Sequence, residues 1–259
     1  MAVSLKNQCI LITGASSGIG QSCAHLFAEA GAKLILAARR KEKLQILADT
    51  LQKQYQIQTL LLCLDVQDPQ AVTTAIEGLP VPWKAIDVLI NNAGLSRGLD
   101  KQYEAPRQDW EEMIDTNIKG LLYMSRAVVP GMVKREHGHV VNIGSIAGRQ
   151  TYSGGSVYCA TKAAVKSLSE GLKIDLIGTP IRVTNIEPGL VETEFSNVRF
   201  RGDDDKANSV YTGMIPLTPD DIADTILFAV TRPAHVNISE IFVMPTDQSS
   251  VVHVHRRTV

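Results

Sequence analysis

The sequence predicts an α/β fold, a doubly wound parallel sheet of about seven strands with helices on both faces. Three observations carry that prediction. Apolar strands and amphipathic helical stretches alternate from end to end, the pattern of β-α-β units joined by right-handed crossovers. The strands read as continuous apolar runs, as parallel strands covered on both faces do, and not as in/out alternations. A glycine-rich turn joins the first strand to the first helix, the place where doubly wound sheets hold phosphate groups.

Cys9–Thr13 reads as the first strand and Gly18–Ala30 as the first helix, closed by Gly31 just past its end. Lys33–Ala38 is the second strand, followed by a charged-faced helix over Lys41–Gln54. After a third strand, Thr59–Leu64, Asp68 caps a helix whose first position is Pro69, where a missing N–H costs nothing. Ile86–Ile90 is the fourth strand. Trp110–Lys134 follows as one long helix in which Pro130 predicts a kink or local break. His139–Ile143 is the fifth strand, Gly155–Ile177 a helix, Ile181–Ile186 the sixth strand and Glu240–Val243 a short last one. Before that last strand, Thr218-Pro219-Asp220-Asp221 starts a helix with a capping threonine and an acidic first turn. With no internal repeat, no Ser- or Pro-rich linker and no second core, residues 1–259 read as one domain.

Composition narrows the function classes. The 259 residues carry 26 basic and 27 acidic side chains, a net charge of −1 with no basic block, which gives no field to gather nucleic acid. Hydrophobic residues at 44% against 20% charged are ordinary for a folded domain. No apolar run approaches the ~20 residues of a membrane helix. Met1 to Gln8 is short and polar and leads straight into a strand, which argues against a secretory leader and for the cytoplasm. Cys9, Cys23, Cys63 and Cys159 are scattered, without a CxxC pair or a neighbouring histidine at ligand spacing, so they read as free thiols and no metal site is expected.

The turn Thr13-Gly14-Ala15-Ser16-Ser17-Gly18-Ile19-Gly20 has the chemistry of a phosphate cradle: glycines let the backbone approach closely, and a helix N-terminus supplies oriented N–H groups. At the end of the second strand, where an NAD enzyme places an acid for the ribose 2′-hydroxyl, this chain has Ala38-Arg39-Arg40. An acid would repel a 2′-phosphate and an arginine fork pairs with it, so the sequence favours NADP(H). The plain alternative is that Arg39 and Arg40 only begin a solvated, Lys-rich helix.

Tyr158 and Lys162 lie four apart on one face of a predicted helix, Ser145 follows the fifth strand at the sheet's carboxyl edge, and Asn117 sits mid-helix where an amide is a poor helix former. With these residues and the glycine turn in view, the chain resembles the short-chain dehydrogenases/reductases. The matching positions are Thr13 to Gly20, Asp65-Val66, Asn91-Asn92-Ala93-Gly94, Asn117, Ser145, Tyr158-x3-Lys162 and Pro188-Gly189-x-Val191-x-Thr193. The resemblance implies a Rossmann-type sheet, with a dinucleotide-binding part to about residue 145 and a catalytic and substrate part after it. It also implies roles. Tyr158 would be the general acid or base, with Lys162 and the oxidised nicotinamide lowering its pKa. Ser145 would hold the substrate oxygen, and Asn117 would position a water linking Lys162 to solvent. Gly14, Ser16, Ser17, Gly18, Ile19 and Gly20 would cradle the cofactor, Asp65 and Val66 its adenine, and Asn92, Ala93 and Gly94 its ribose side. Pro188, Gly189, Val191 and Thr193 would cover the nicotinamide. A helix cap is the plain reading of Asp65, and a turn residue that of Asn92.

Segments outside the shared motifs resemble the branch of NADP-dependent 3-hydroxy acid dehydrogenases, also named for serine or allo-threonine dehydrogenase activity: Asp109 to Asn117, Thr193 to Phe200, Gly202-Asp203-Asp204 and Pro233 to Ile238. The branch implies oxidation of the 3-hydroxyl of small acids and a homotetramer or homodimer paired through Trp110–Lys134 and Gly155–Ile177. Ile146 to Thr151 fits that branch loosely and is expected beside the substrate. A small acid needs a cationic partner, for which Arg97, Arg149, Arg199 and Arg201 are the candidates. Alternatives are a reductase of other small carbonyls (sugars, dicarbonyls, xenobiotic ketones) and a non-catalytic NADP(H)-binding sensor. The tail carrying His253, His255, Arg256 and Arg257 reads as a surface or subunit-contact segment.

Overall fold

Strands β1 (Cys9–Thr13), β2 (Lys33–Ala38), β3 (Thr59–Cys63), β4 (Val88–Asn91), β5 (His139–Ile143), β6 (Arg182–Pro188) and β7 (Glu240–Val243) form one sheet in the order β3-β2-β1-β4-β5-β6-β7. Every neighbouring pair is parallel. The computed structural model describes residues 4–258, so Met1 to Val3, the start of the polar N-terminal stretch, lies outside the described residues.

Both faces of the sheet are buried, which is why the strands carry apolar runs. In β1, Ile10 and Ile12 pack under α1 (Gly18–Glu29), while Cys9 and Leu11 belong to the core on the opposite face. In β2, Leu34 and Leu36 point one way and Ile35 the other. α1, α2 (Lys41–Tyr55) and α9 (Pro219–Val230) cover the first face. α3 (Pro69–Glu77), α5 (Leu121–Lys134) and α6 (Ser156–Asp175) cover the second. Local chemistry fixes the helix ends. Gly31 takes φ +81 just past α1, Asp68 accepts from the backbone of Gln70 and Ala71, and Thr218 with Asp221 forms a capping box at α9.

The long helix differs from expectation. It starts as α4 (Arg107–Ile114), widens into one π-helical segment over Asp115–Gly120, and continues as α5. No break falls at Pro130, which α5 carries inside a continuous helix. The irregularity lies where Asn117 turns inward and where Gly120 meets the chain after β3: a Cβ on Gly120 would stand 2.7 Å from Cγ2 of Val66. A π-turn inserts the extra residue that lets both contacts form. Short helices α7 (Phe195–Arg199) and α8 (Asp204–Ser209) follow β6.

One buried polar row crosses the middle of the sheet. Asn91, Asn142 and Asn185 are register partners on β4, β5 and β6. Asn91 donates to the Asn142 side chain (2.9 Å) and to Ser125 (3.1 Å), and Asn142 donates to Ser169 of α6 (2.9 Å). This row ties the strands that carry the site to the helices behind them. Removing one member strands the donors of the others, at about 1–3 kcal/mol for each unsatisfied buried group. Asn142→Ala is therefore expected to lower the unfolding free energy by about 2–4 kcal/mol, read from urea midpoints at fixed protein concentration with an unchanged m-value.

Candidate active site

The chain leaves β1 toward β2 and β3 in one direction and returns from β4 through β7 in the other, so strand order reverses between β1 and β4. At such a switch point the loops leaving the carboxyl ends of the two strands separate and open a crevice. Here the loops after β1, β4, β5 and β6 all line one cavity of about 750 Å³.

The turn after β1 is locked onto the end of β4. Asn92 Nδ2 donates to the carbonyls of Thr13 (3.0 Å) and Gly14 (3.3 Å), while the Asn92 and Ala93 amides donate to Thr13 Oγ1 (both 3.0 Å). Glycine is required by this closeness: a Cβ on Gly20 would stand 2.4 Å from the Gly14 carbonyl oxygen, and Gly14 itself has φ +64. Ser16, Ser17, Gly18 and Ile19, at the N-terminus of α1, line the cavity, an arrangement suited to a pyrophosphate. Asn92 also lines it, with both donors engaged by β1 and its oxygen left as the group that a ribose hydroxyl could use.

A cationic cluster marks one end. Arg40 donates to Ser16 Oγ through Nε (3.2 Å) and Nη2 (3.0 Å), to Ser17 Oγ (2.7 Å) and to Glu194 (2.8 Å), while Lys43 donates to the same carboxylate (2.7 Å). Hydrogen bonds from Lys43 and Arg40 hold the Glu194 carboxyl down at about 2. Arg39 stands 3.7 Å from Asp65, whose other oxygen accepts from the Gln67 amide (3.0 Å). Two guanidinium groups, an ammonium and two hydroxyls fit the 2′-phosphate of a phosphorylated dinucleotide better than a bare ribose. Neither Lys43 nor Glu194 was among the residues singled out from the sequence. Lys43 was visible as the residue one helical turn after Arg40, whereas Glu194, across the groove, had no local signal.

At the other end, Ser145, Tyr158 and Lys162 line the cavity together. Ser145 leaves β5 in extended conformation and its Oγ accepts from the Ala147 amide (3.1 Å). Lys162 donates to the Ile143 carbonyl (2.8 Å) and stands 5.9 Å from the centre of the Tyr158 ring. Burial alone draws the Lys162 ammonium down to about 8, because no carboxylate accompanies it. Burial pushes the Tyr158 phenol well above its ordinary value, opposed by Arg199 and by the Ser145 hydroxyl. The phenol is thus a proton donor near neutrality, and a nearby positive charge favours its ionised form.

Asn117 does not line the cavity. Its Oδ1 accepts from the Leu95 amide and its Nδ2 donates to the Leu95 carbonyl (both 2.8 Å) and to Thr161 (3.0 Å). It stands behind Gly94, where an added Cβ would meet both Asn117 Oδ1 (3.3 Å) and Lys162 Nζ (3.5 Å). Pro188, Gly189, Val191 and Thr193 line the cavity beside Asp65, Val66, Ala93 and Gly94. The loop after β6 is held by Gln248, which accepts from the Leu190 amide (2.8 Å), and by Tyr211, which donates to the Val191 carbonyl (2.9 Å).

Three of the four candidate arginines are already paired. Arg97 bonds Glu112, Arg201 bonds Asp109, and Arg149 bonds buried Glu187 together with Glu240. Only Arg199 lines the cavity. The segment around Arg149 also corrects an expectation. Ile146 and Ala147 do reach the cavity, but Arg149 faces β6 and β7, and Gln150 accepts from the Val251 amide (3.0 Å). The tail lies at the surface as expected, with His253, His255, Arg256 and Arg257 exposed, and it is tied down there. Arg257 pairs with Asp247 and its amide donates to Gly213 (2.7 Å), while Val251, Val252, Val254 and Arg256 form part of the cavity wall.

No group of three or more His, Cys, Asp and Glu able to hold a metal occurs among the described residues, and none of their helices is long and apolar enough to cross a membrane. Residues 8–204 match a family described as short chain dehydrogenase. The NADP-dependent 3-hydroxy acid dehydrogenase YdfG of Escherichia coli K12 is 49% identical over 250 residues, 96% of this chain and 99% of that protein. The NADP-dependent 3-hydroxy acid dehydrogenase of Schizosaccharomyces pombe is 48% identical over 254 residues, 98% of each. A solved structure of a serine dehydrogenase in its closed form, complexed with NADP+, superposes with a TM-score of 0.90 at 48% identity, covering 96% of this chain and 100% of that one. With the glycine turn, the Ser145–Tyr158–Lys162 group and one parallel sheet of this order, the chain belongs to the short-chain dehydrogenase family.

Proposed function

We propose that the protein is an NADP(H)-dependent oxidoreductase that acts at the 3-hydroxyl or 3-keto carbon of small hydroxy acids. The observation that carries this reading is the meeting of Ser145, Tyr158 and Lys162 in the same cavity as the glycine turn and Arg40. Relatives named for that activity align over nearly the whole chain at about half identity, which supports the acid as substrate class. NADP(H), when bound, supplies or accepts the hydride.

The chain's own groups manage the proton and the geometry. In reduction, Tyr158 gives its phenolic proton to the carbonyl oxygen, and in oxidation the phenolate takes the hydroxyl proton. Lys162, 5.9 Å from the ring, stabilises that phenolate. Ser145 holds the substrate oxygen at reacting distance. Asn117 is a positioning residue: it fixes Leu95 and Thr161 beside Lys162, on the path by which a proton would be exchanged with solvent. Arg39, Arg40, Ser16 and Ser17 receive the 2′-phosphate, Asp65 and Val66 the adenine, Asn92 the ribose, and Val191 with Thr193 the carboxamide. We further propose one domain, with cofactor binding before about residue 145 and substrate binding after it. It would work in the cytoplasm as a homotetramer or homodimer through α5 and α6, where exposed Ile174 supplies apolar surface.

Tyr158→Phe is expected to lower kcat by roughly 10²–10⁴-fold while NADPH still binds, read by steady-state kinetics beside a fluorescence titration. Full turnover by that variant would remove the proposed acid. Arg40→Ala should cut the preference for NADP+ over NAD+ in kcat/KM by roughly tenfold or more, since charged hydrogen bonds contribute about 1.5–3 kcal/mol each. A ratio that does not move would return Arg40 to the solvated helix start. For NADPH-driven carbonyl reduction, kcat/KM should be level at low pH and fall as pH rises through about 8, where Lys162 loses its proton. A profile level to pH of about 10, the range of an ordinary lysine, would take the Lys162 charge out of the reaction.

A further inference from the structure

Arg199 stands apart from every other candidate arginine. It ends α7, and its guanidinium carbon lies 5.4 Å from the centre of the Tyr158 ring and 5.3 Å from that of Phe195. Its Nη2 donates to the Tyr152 hydroxyl (3.1 Å), and its Nε is buried without a hydrogen-bond partner. Arg97, Arg149 and Arg201 each meet a carboxylate, whereas among the described residues no carboxylate pairs with Arg199. The cation therefore sits half-buried in the cavity against two aromatic rings, without a counter-ion among the described residues.

Its position is enforced from outside. The Arg199 carbonyl accepts from the Gly98 amide (3.0 Å), and Arg97 donates to the Val198 carbonyl (2.5 Å) while bonding Glu112. Arg201, just past α7, is tied to Asp109 and lies 3.9 Å from Glu112. Arg97 and Arg201 thus tie α7 to α4 through acids, while Arg199, at the end of α7, has no carboxylate partner among the described residues. A half-buried guanidinium with no acid beside it can accept one, and its planar fork suits a carboxylate.

We infer that Arg199, oriented by Tyr152, is the seat of the substrate carboxylate. This rests on the reading above that the substrate is a 3-hydroxy acid. In such an acid the carboxyl carbon lies two bonds, roughly 2.5 Å, from the carbon that carries the hydroxyl. With that hydroxyl at Tyr158 and Ser145, the carboxylate stays within reach of the Tyr158 ring, and among the described residues Arg199 is the guanidinium stacked there. The arrangement selects anionic substrates over neutral alcohols of equal size. It also couples recognition to chemistry, because neutralising Arg199 withdraws a charge that favours the Tyr158 phenolate.

The test compares a 3-hydroxy acid with its methyl ester in wild type, Arg199→Met, Arg199→Lys and Tyr152→Phe, with NADPH fluorescence titration as the check that each variant is folded. In Arg199→Met the acid-to-ester ratio of kcat/KM is expected to fall by roughly tenfold to a hundredfold, mainly through KM for the acid. Arg199→Lys should keep part of that preference, and Tyr152→Phe should lose a smaller part with the same sign. An equal loss on both substrates would make Arg199 a tuner of Tyr158 alone and overturn the assignment, as would an unchanged ratio. If Arg199→Met does not bind NADPH, the lysine and Tyr152→Phe variants decide by the same ratio. A wild type that turns over the ester but never the acid would sink the 3-hydroxy acid reading itself, an outcome distinct from a variant that fails to change the preference.

Discussion

The reversal of strand order between β1 and β4 is the constraint on which the rest of the molecule depends. Four chain segments with no sequence proximity, those after β1, β4, β5 and β6, are delivered to one crevice because parallel strands all end on the same side. Each then needs a local device to keep the cavity open and shaped. The first is bound to the second through Asn92 and Thr13, and the fourth is strapped by Gln248 and Tyr211. The asparagine row through Asn91 and Asn142 ties the strands between them to α5 and α6. Helix α6 carries Tyr158 and Lys162, so the polar row inside the sheet also bears on where the reacting groups stand.

Electrostatics at the site follow from dryness. Lys162 has only a carbonyl to accept its ammonium, and burial lowers its proton affinity to about 8 from the ordinary 10.5. The sign of the stability effect follows. The unfolded chain binds more protons than the folded one between about 8 and 10.5, so stability rises with pH across that window and carries the full cost of the buried charge below it. A carboxylate beside Lys162 would relieve that cost, but it would also neutralise the charge that Tyr158 needs. The pair is thus held at a cost in stability, the arrangement that the proposed proton transfer requires.

Much of this was legible in the chain. The continuous apolar strands, the Asp68-Pro69 and Thr218-Pro219 helix starts and Gly31 act within a few residues, and the structure bears them out. The glycine turn and Ser145 follow strand ends, and Tyr158 and Lys162 stand four apart on α6; these are local patterns, and the structure brings them to one cavity. What escaped was what folding joins across sequence distance. Glu194 reaches Arg40 across the groove, and the tail's Val251 meets Gln150 beside the cavity, each pair separated by over a hundred positions' worth of sheet topology. No break forms at Pro130, for a related reason. A proline's missing donor is a local cost that tertiary packing can absorb, while the insertion at Asp115–Gly120 answers to Val66 and Leu95, which the helix sequence does not display.

The arginines show the same limit most sharply. In sequence, Arg97, Arg149, Arg199 and Arg201 are equivalent cations near a presumed substrate, and nothing in spacing ranks them. Their partners rank them. Glu112, Asp109, Glu187 and Glu240 lie on α4, β6 and β7, so three of the cations serve to fix segments of chain to one another. Arg199 receives Tyr152 and two aromatic faces in place of an acid. A fold that pairs Arg97 and Arg201 with acids of α4 and leaves Arg199 without a carboxylate in its cavity is what the proposed seat for an anion requires. Tyr152, Tyr158 and Phe195 surround that cation with aromatic surface that a small acid could cover.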